Sequence, residues 1–198
     1  MFGGQTAAQE FKGRSWRFLR TLVKDPFSVG AVAPSSRHLA NSMVIGMGPG
    51  AKVVELGGGT GSVTQAILNS GVSPQDLLVI EQNEEFVEFL KERFPHVTVI
   101  RAKAASVRHH IADLTGPADF VVSGLPLMLF PAERKARLLS QVFSVLGPEG
   151  FFHQFTYGGR CPVERSLLQS LGLEASFLGF TLFNLPPAFV YRLKRRSA

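Results

Sequence analysis

The chain has 198 residues, 45% of them apolar and 18% charged, a length and balance that suit one domain with a sizeable core and exclude a disordered chain. Its net charge of +6, from 21 Lys and Arg against 15 Asp and Glu, points to an anionic partner, either nucleic acid or an acidic membrane surface. The single cysteine, Cys161, excludes an internal disulfide, and no apolar run approaches the ~20 residues that span a bilayer.

The first stretch, Met1–Glu10, is polar and lacks a signal-peptide core, so a cytoplasmic or peripheral location is expected. Gln9 to Lys24 then reads as one helix, stopped by Asp25-Pro26. Phe11, Trp16, Phe18, Leu19, Leu22 and Val23 share one arc; Arg14, Arg17, Arg20 and Lys24 share the other, with Lys12 an exception inside the apolar arc. That pattern fits an in-plane membrane anchor, with Trp16, Arg17, Phe18, Arg20 and Lys24 as contact residues. It also fits a helix docked on its own domain with a solvated basic side. Pro34-Ser35-Ser36 reads as a loop capping a helix over Arg37–Ile45, Ser35 or Ser36 being the N-cap.

From Lys52 onward strands and helices alternate. Val53–Leu56, Leu77–Glu81, Val97–Arg101, Asp119–Ser123 and Phe151–Tyr157 read as strands. Ser62–Asn69, Glu84–Phe94, Ala132–Val145 and Val163–Leu171 read as helices, the third stopped by Gly147-Pro148. Two last strands, near Ala175–Asn184 and Ala188–Leu193, flank Pro186-Pro187 and are short enough in connection to run antiparallel. The expected fold is α/β and Rossmann-like: a seven-stranded, mostly parallel sheet with helices on both faces. Residues 1–48 are expected to form membrane-binding and ligand-covering helices, and residues 49–198 one compact catalytic unit.

The chemistry concentrates in Val53-Val-Glu-Leu-Gly-Gly-Gly-Thr-Gly61. A strand, a glycine turn and a helix let the backbone approach a nucleotide closely. A dinucleotide fingerprint counted from Gly57 would need Gly or Ala at position 62, where Ser62 stands. Glu55-x-Gly57-x-Gly59-x-Gly61 instead resembles the first motif of class I S-adenosylmethionine (SAM) methyltransferases. That resemblance implies SAM as cofactor and S-adenosylhomocysteine as product. Glu81, ending the second strand, is placed to accept bonds from both ribose hydroxyls. Glu55 is placed to orient the loop amides or to meet the cationic end of the cofactor. Ser35 and Ser36 are candidates to cover its methionine end. After the third strand, relatives carry an acid for the adenine amino group; here Ala102-Lys103-Ala104 stands, and Lys103 cannot accept a hydrogen bond. Adenine recognition then falls to the Ala104 amide and to packing from Gln82 or Val107.

The acceptor motif is Ser123-Gly-Leu-Pro-Leu127. In ribosomal RNA adenine dimethyltransferases the corresponding motif is Asn-Leu-Pro-Tyr, in which the aromatic stacks on the base. Leu127 replaces that aromatic, removing a contact worth ~1–3 kcal/mol, while the backbone carbonyls about Ser123 and Leu125 remain able to hold a small amine. Together with Gly30-Ala-Val-Ala-Pro-Ser-Ser36, Gln154-Phe-Thr-Tyr-Gly158 and Asn184-Leu-Pro-Pro-Ala188, the chain from about Phe18 resembles the bacterial phospholipid N-methyltransferases of the rRNA-methylase-like type. The resemblance implies methylation of phosphatidylethanolamine, through its mono- and dimethyl forms, to phosphatidylcholine. It implies a peripheral enzyme on the inner face of the cytoplasmic membrane, with no nucleic acid, metal or obligate protein partner.

Tyr157 is a candidate to orient the amine and hold the growing methylammonium by cation–π contact, or an ordinary core tyrosine. Arg160 and then Arg192 are candidates for a lipid phosphate, with Tyr191 and Asn184 at the acceptor mouth. Phe130, Phe177, Phe180 and Phe183 are candidates for an acyl groove. Two other readings stand beside this one: a nucleic-acid methyltransferase, and a SAM-fold membrane protein without catalysis.

Overall fold

The computed structural model describes residues 37–111, 114, 116–157, 159–181 and 187–196. The N-terminal helix expected over Gln9 to Lys24, Ser35, Ser36, Phe183 and Asn184 lie outside the described residues.

The two strands on either side of the glycine turn, β1 (Val53–Leu56) and β2 (Leu77–Glu81), are buried at every position, as parallel strands covered on both faces must be. They pair in register Val53↔Leu77 to Leu56↔Ile80. β3 (Thr98–Arg101) adds to the far side of β2, and β4 (Ala118–Ser123) pairs with β1 on the other side. All these connections are parallel, so the C-terminal tips of β1, β2 and β4 come out on one edge of the sheet.

The first four helices begin where their sequence predicts, and the last begins at Arg165, two residues after the expected Val163. α1 (Arg37–Met43) buries Leu39, Ala40 and Met43 within the compact unit that begins at Ser35. α2 (Ser62–Asn69) follows Gly61 directly. α3 (Glu84–Arg93) is capped by Asn83, whose side chain accepts from the Phe86 amide, and carries acids in its first turn and bases in its last. A 3-10 turn at Ala104–His109, unanticipated from the sequence, follows β3.

The main difference from the sequence reading lies in the second half. Gly147-Pro148 does end α4 (Ala132–Val145), but the chain passes at once into β5 (Leu146–Thr156) rather than looping to Phe151. Leu146 pairs with Ala118, and an irregularity between Ala118 and Phe120 absorbs the change of register. The end of α4 is held from a distance: the Arg195 guanidinium donates to the carbonyls of Phe143, Leu146 (3.2 Å) and Gly147 (2.6 Å). A cation there satisfies carbonyls left without helical partners and favours the negative end of the helix dipole.

After α5 (Arg165–Ser170), β6 (Leu173–Thr181) and β7 (Ala188–Arg195) form the hairpin. β7 inserts between β5 and β6 and runs antiparallel to both, giving the order β3-β2-β1-β4-β5-β7-β6. One face of this sheet packs against α4 and α5 in a continuous apolar core that includes Leu138, Leu139, Leu168 and Phe152. On the other face His153 meets α1: its Nδ1 lies 2.9 Å from the Met43 carbonyl.

Candidate active site

The glycine turn opens at the tip of β1. Gly57 donates to the Ile80 carbonyl at 2.8 Å, which ties the turn to β2. A Cβ on Gly58 would lie 2.6 Å from Val79 and 2.8 Å from Leu90, so this glycine is demanded by close packing beneath the turn. Gly59 is the opposite case: its φ is +50° and a Cβ would meet nothing within 4 Å. The turn is thus packed on one side and open on the other.

Glu81 secures the open side. Its Oε2 accepts from the Gly59 amide at 3.1 Å and its Oε1 from the Asn83 amide at 2.8 Å. The same carboxylate lines a cleft of about 600 Å³ with Gly57, Gln82, Ala104 and Leu125. Each carboxylate oxygen can accept more than one hydrogen bond, so Glu81 retains capacity for a ligand while holding the loop.

Glu55 sits behind the turn, 1% exposed. The Thr64 hydroxyl donates to its Oε2 at 2.6 Å, and Oε1 has no partner among the described residues. Burial, with the Glu81 charge nearby, pushes its pKa from 4.5 up to about 8, against the pull of Thr64. The sequence suggested a carboxylate here; the fold makes it a carboxyl that keeps its proton at neutral pH.

On the adenine side, Lys103 precedes the 3-10 turn and Ala104 opens it. The first amides of such a turn have no acceptor within it, and Lys103, Ala104 and Ala105 all line the cleft. Arg134 and Arg137, one helical turn apart on α4, complete its wall. The sequence reading missed both. Their i, i+3 spacing on a helix leaving the acceptor motif is the signal that could have shown them. Arg134 stacks over the Phe130 ring at 3.9 Å.

The acceptor turn leans on the glycine turn. Gly124 donates to the Leu56 carbonyl at 2.9 Å, and Leu125 packs over Gly57. Ser123 is fully buried, and its Oγ accepts from the Leu125 amide at 3.2 Å, which makes it a brace for the turn. Gln154 adds a second brace that the sequence reading did not single out. Its Nε2 donates to the carbonyls of Leu125 (2.9 Å) and Phe155 (2.8 Å), while its buried Oε1 has no partner among the described residues.

The remaining candidates are not among the residues that line the cleft. Tyr157 packs edge-on against Phe155 at 5.3 Å. The Tyr191 hydroxyl donates to the Gly159 carbonyl at 3.0 Å, one residue before the exposed Arg160. Arg192 is committed elsewhere: its Nε donates to His153 Nε2 at 3.2 Å, and its guanidinium covers Phe151 at 4.6 Å. That bond makes Nε2 the acceptor and Nδ1 the donor of a neutral imidazole. Burial foremost, with the adjacent guanidinium, holds His153 down at about 4. Cys161 is raised by burial, the reverse of an activated thiol.

These features fit an adenosyl sulfonium cofactor: an acid at the tip of β2 that holds the glycine turn, an open glycine backbone, an apolar-walled cleft and a buried oxygen behind the turn with no partner among the described residues. Fold and site together define a Rossmann-like methyltransferase. Residues 53–150 match the methyltransferase domain family. Over 185 residues, 88% of this chain and 92% of the relative, the chain is 35% identical to the ornithine lipid N-methyltransferase of Singulisphaera acidiphila. Among solved structures it resembles a TehB-like SAM-dependent methyltransferase from Corynebacterium glutamicum, with a TM-score of 0.62 at 16% identity, covering 94% of this chain and 98% of that one. It also resembles the magnesium protoporphyrin IX methyltransferase of Synechocystis with bound SAM, with a TM-score of 0.57 at 16% identity, covering 99% and 87%. The chain belongs to the class I SAM-dependent methyltransferases, and SAM is its cofactor.

Proposed function

We propose that this enzyme transfers methyl groups from SAM to the primary amine of a membrane lipid. The observation that carries the reading is Leu127. At the position where base-methylating relatives present a stacking aromatic, the side chain is a leucine, 1% exposed and turned into the core. A flipped base would find no ring there, whereas a small amine needs only the turn's backbone carbonyls. The relative that methylates ornithine lipid supports the same substrate class.

The finer assignment is phosphatidylethanolamine and its mono- and dimethyl forms, acted on at the inner membrane surface. A second reading, an ornithine-containing lipid, is favoured by the 35% identity to the relative named above. Both headgroups set a primary amine a few atoms from an anion. Arg160, exposed beside Tyr191, is the cation proposed for that anion, with Arg134 and Arg137 nearer the cleft.

Bound SAM supplies an electrophilic methyl group. The chain's own contribution is alignment and exclusion of water. Gln154 and Ser123 hold the Leu125 turn against Gly57, so the nucleophile is presented in a fixed direction. The apolar side chains of Leu125 and Phe130 favour the neutral amine, whose lone pair the reaction needs. Tyr157 is proposed to orient that amine. The test is mass spectrometry after incubation with labelled SAM and vesicles of phosphatidylethanolamine, vesicles of ornithine lipid, or RNA. Label in either lipid supports the reading and selects the headgroup; label in RNA alone overturns it.

A further inference from the structure

The hairpin β6–β7 carries four aromatic rings on one face. Phe177 stands opposite Tyr191 and Phe180 opposite Phe189. The rings form a continuous ladder: Phe177 to Tyr191 at 5.9 Å, Phe177 to Phe180 at 6.4 Å and Phe180 to Phe189 at 6.1 Å, the last two pairs stacked. Residues three apart in a regular strand point to opposite faces. Here the register shifts between Phe177 and Gly179, and that bulge turns both phenylalanines to the same side. The backbone irregularity is therefore what assembles the ladder.

Among the described residues this face is not closed by packing. Tyr191 and Phe189 are covered in part by the segment at Gly159, but Phe177 and Phe180 remain 55% and 54% exposed. β6 is the last strand of the sheet, so no further strand flanks them among the described residues. Their position is specific. β6 runs parallel to β5, and the ring pairs climb toward the edge at which β1, β2 and β4 end and the cleft opens. On the same edge the acceptor segment exposes two more large apolar residues, Met128 at 52% and Leu129 at 77%. The exposed charges there include Arg160 next to Gly159, Lys103, Arg134 and Arg137 at the cleft, and the acid Glu133, while Glu84 and Glu164 are paired with Arg101 and Lys135.

We infer that the exposed Phe177–Phe180 ladder, with Met128 and Leu129, is a docking surface that inserts into an anionic lipid bilayer. Aromatic rings on a rim ringed by cations match the boundary between acyl chains and acidic headgroups. The surface is built from residues other than those of the amphipathic N-terminal stretch, and it orients the cleft toward the plane in which a lipid amine is presented. The inference rests on the proposed lipid substrate for its purpose, but not for its measurement.

The test is a Phe177→Ser/Phe180→Ser variant of the full chain. Both positions are half exposed on an edge strand, and unchanged SAM affinity by calorimetry certifies the fold. Co-sedimentation with vesicles containing a third of phosphatidylglycerol should fall about ten-fold or more, from the apolar area kept in water. Methyl transfer to lipid in those vesicles should fall with it, while transfer to the same lipid in non-ionic detergent micelles should hold within two-fold. A Met128→Ser/Leu129→Ser variant should lose vesicle binding likewise. Vesicle binding equal to that of the unsubstituted chain in both variants overturns the inference. So does a dimer in sedimentation velocity that the phenylalanine substitutions dissociate, which would make a second copy the occupant. If the original chain methylates no lipid yet loses vesicle binding on substitution, the docking surface stands and the substrate reading fails.

Discussion

Replacing Glu55 by Gln tests the buried acid directly. Burial raises its pKa from 4.5 to about 8. The folded chain therefore binds this proton more tightly than the unfolded chain, so the stability it contributes is complete below pH 4.5 and is lost as pH rises toward about 8. His153 works in the other direction. Its pKa falls from 6.5 to about 4, so its contribution is present above pH 6.5 and is lost as pH falls through about 4. The two slopes cancel between 4.5 and 6.5, and Glu55 acts alone from 6.5 to about 8. One proton is worth roughly 1.4 kcal/mol per pH unit, so that window costs the original chain about 2 kcal/mol. Glutamine keeps the shape and the acceptor for Thr64 but cannot titrate, so the variant lacks this component. The assay is guanidinium denaturation of both proteins at pH 6, 7 and 8, without SAM. The stability difference should shift in favour of the Glu55→Gln variant by about 2 kcal/mol across the series. A difference independent of pH would refute the protonated carboxyl.

Glu81→Gln leaves an amide nitrogen facing either the Gly59 or the Asn83 amide; a buried mismatch of ~1–3 kcal/mol should weaken SAM binding roughly 5- to 150-fold by calorimetry. Gly58→Ala and Gly59→Ala should separate stability from binding. The first drives a Cβ into Val79 and Leu90 and should cost ~1–3 kcal/mol in denaturation, whereas the second meets no atom within 4 Å and carries only the strain of its φ of +50°, so it should weaken SAM binding with a smaller loss of stability. Gln154→Leu removes the bonds to the Leu125 and Phe155 carbonyls; kcat should fall at least ten-fold while SAM affinity stays within two-fold, and equal loss of both would deny it a role in positioning the acceptor turn.

Much of this architecture was legible along the chain. β1, α2, β2 and α4 have the bounds that the sequence implies, because apolar runs, glycine turns and Asn or Pro boundaries act within a few residues. The glycine turn and Glu81 were legible for the same reason, since each ends a strand whose tip the α/β pattern places at the ligand edge. The antiparallel character of the final pair also followed from its short connection.

What required the tertiary structure was everything decided between distant segments. No local signal inserts β7 between β5 and β6, or sends Arg195 to the end of α4. Arg192, which the sequence offered to a lipid phosphate, is drawn to His153, its neighbour across the β5–β7 pairing. Lys135, one residue from Arg134, is instead buried and paired with Glu164 at 2.6 Å. A glutamate reads the same in any sequence, but only its surroundings set whether it gathers loop amides, as at Glu81, or keeps a proton, as at Glu55. Backbone preference is settled by neighbours along the chain, whereas hydrogen-bond partners, burial and protonation depend on which remote groups arrive, and those are known only once the sheet has closed.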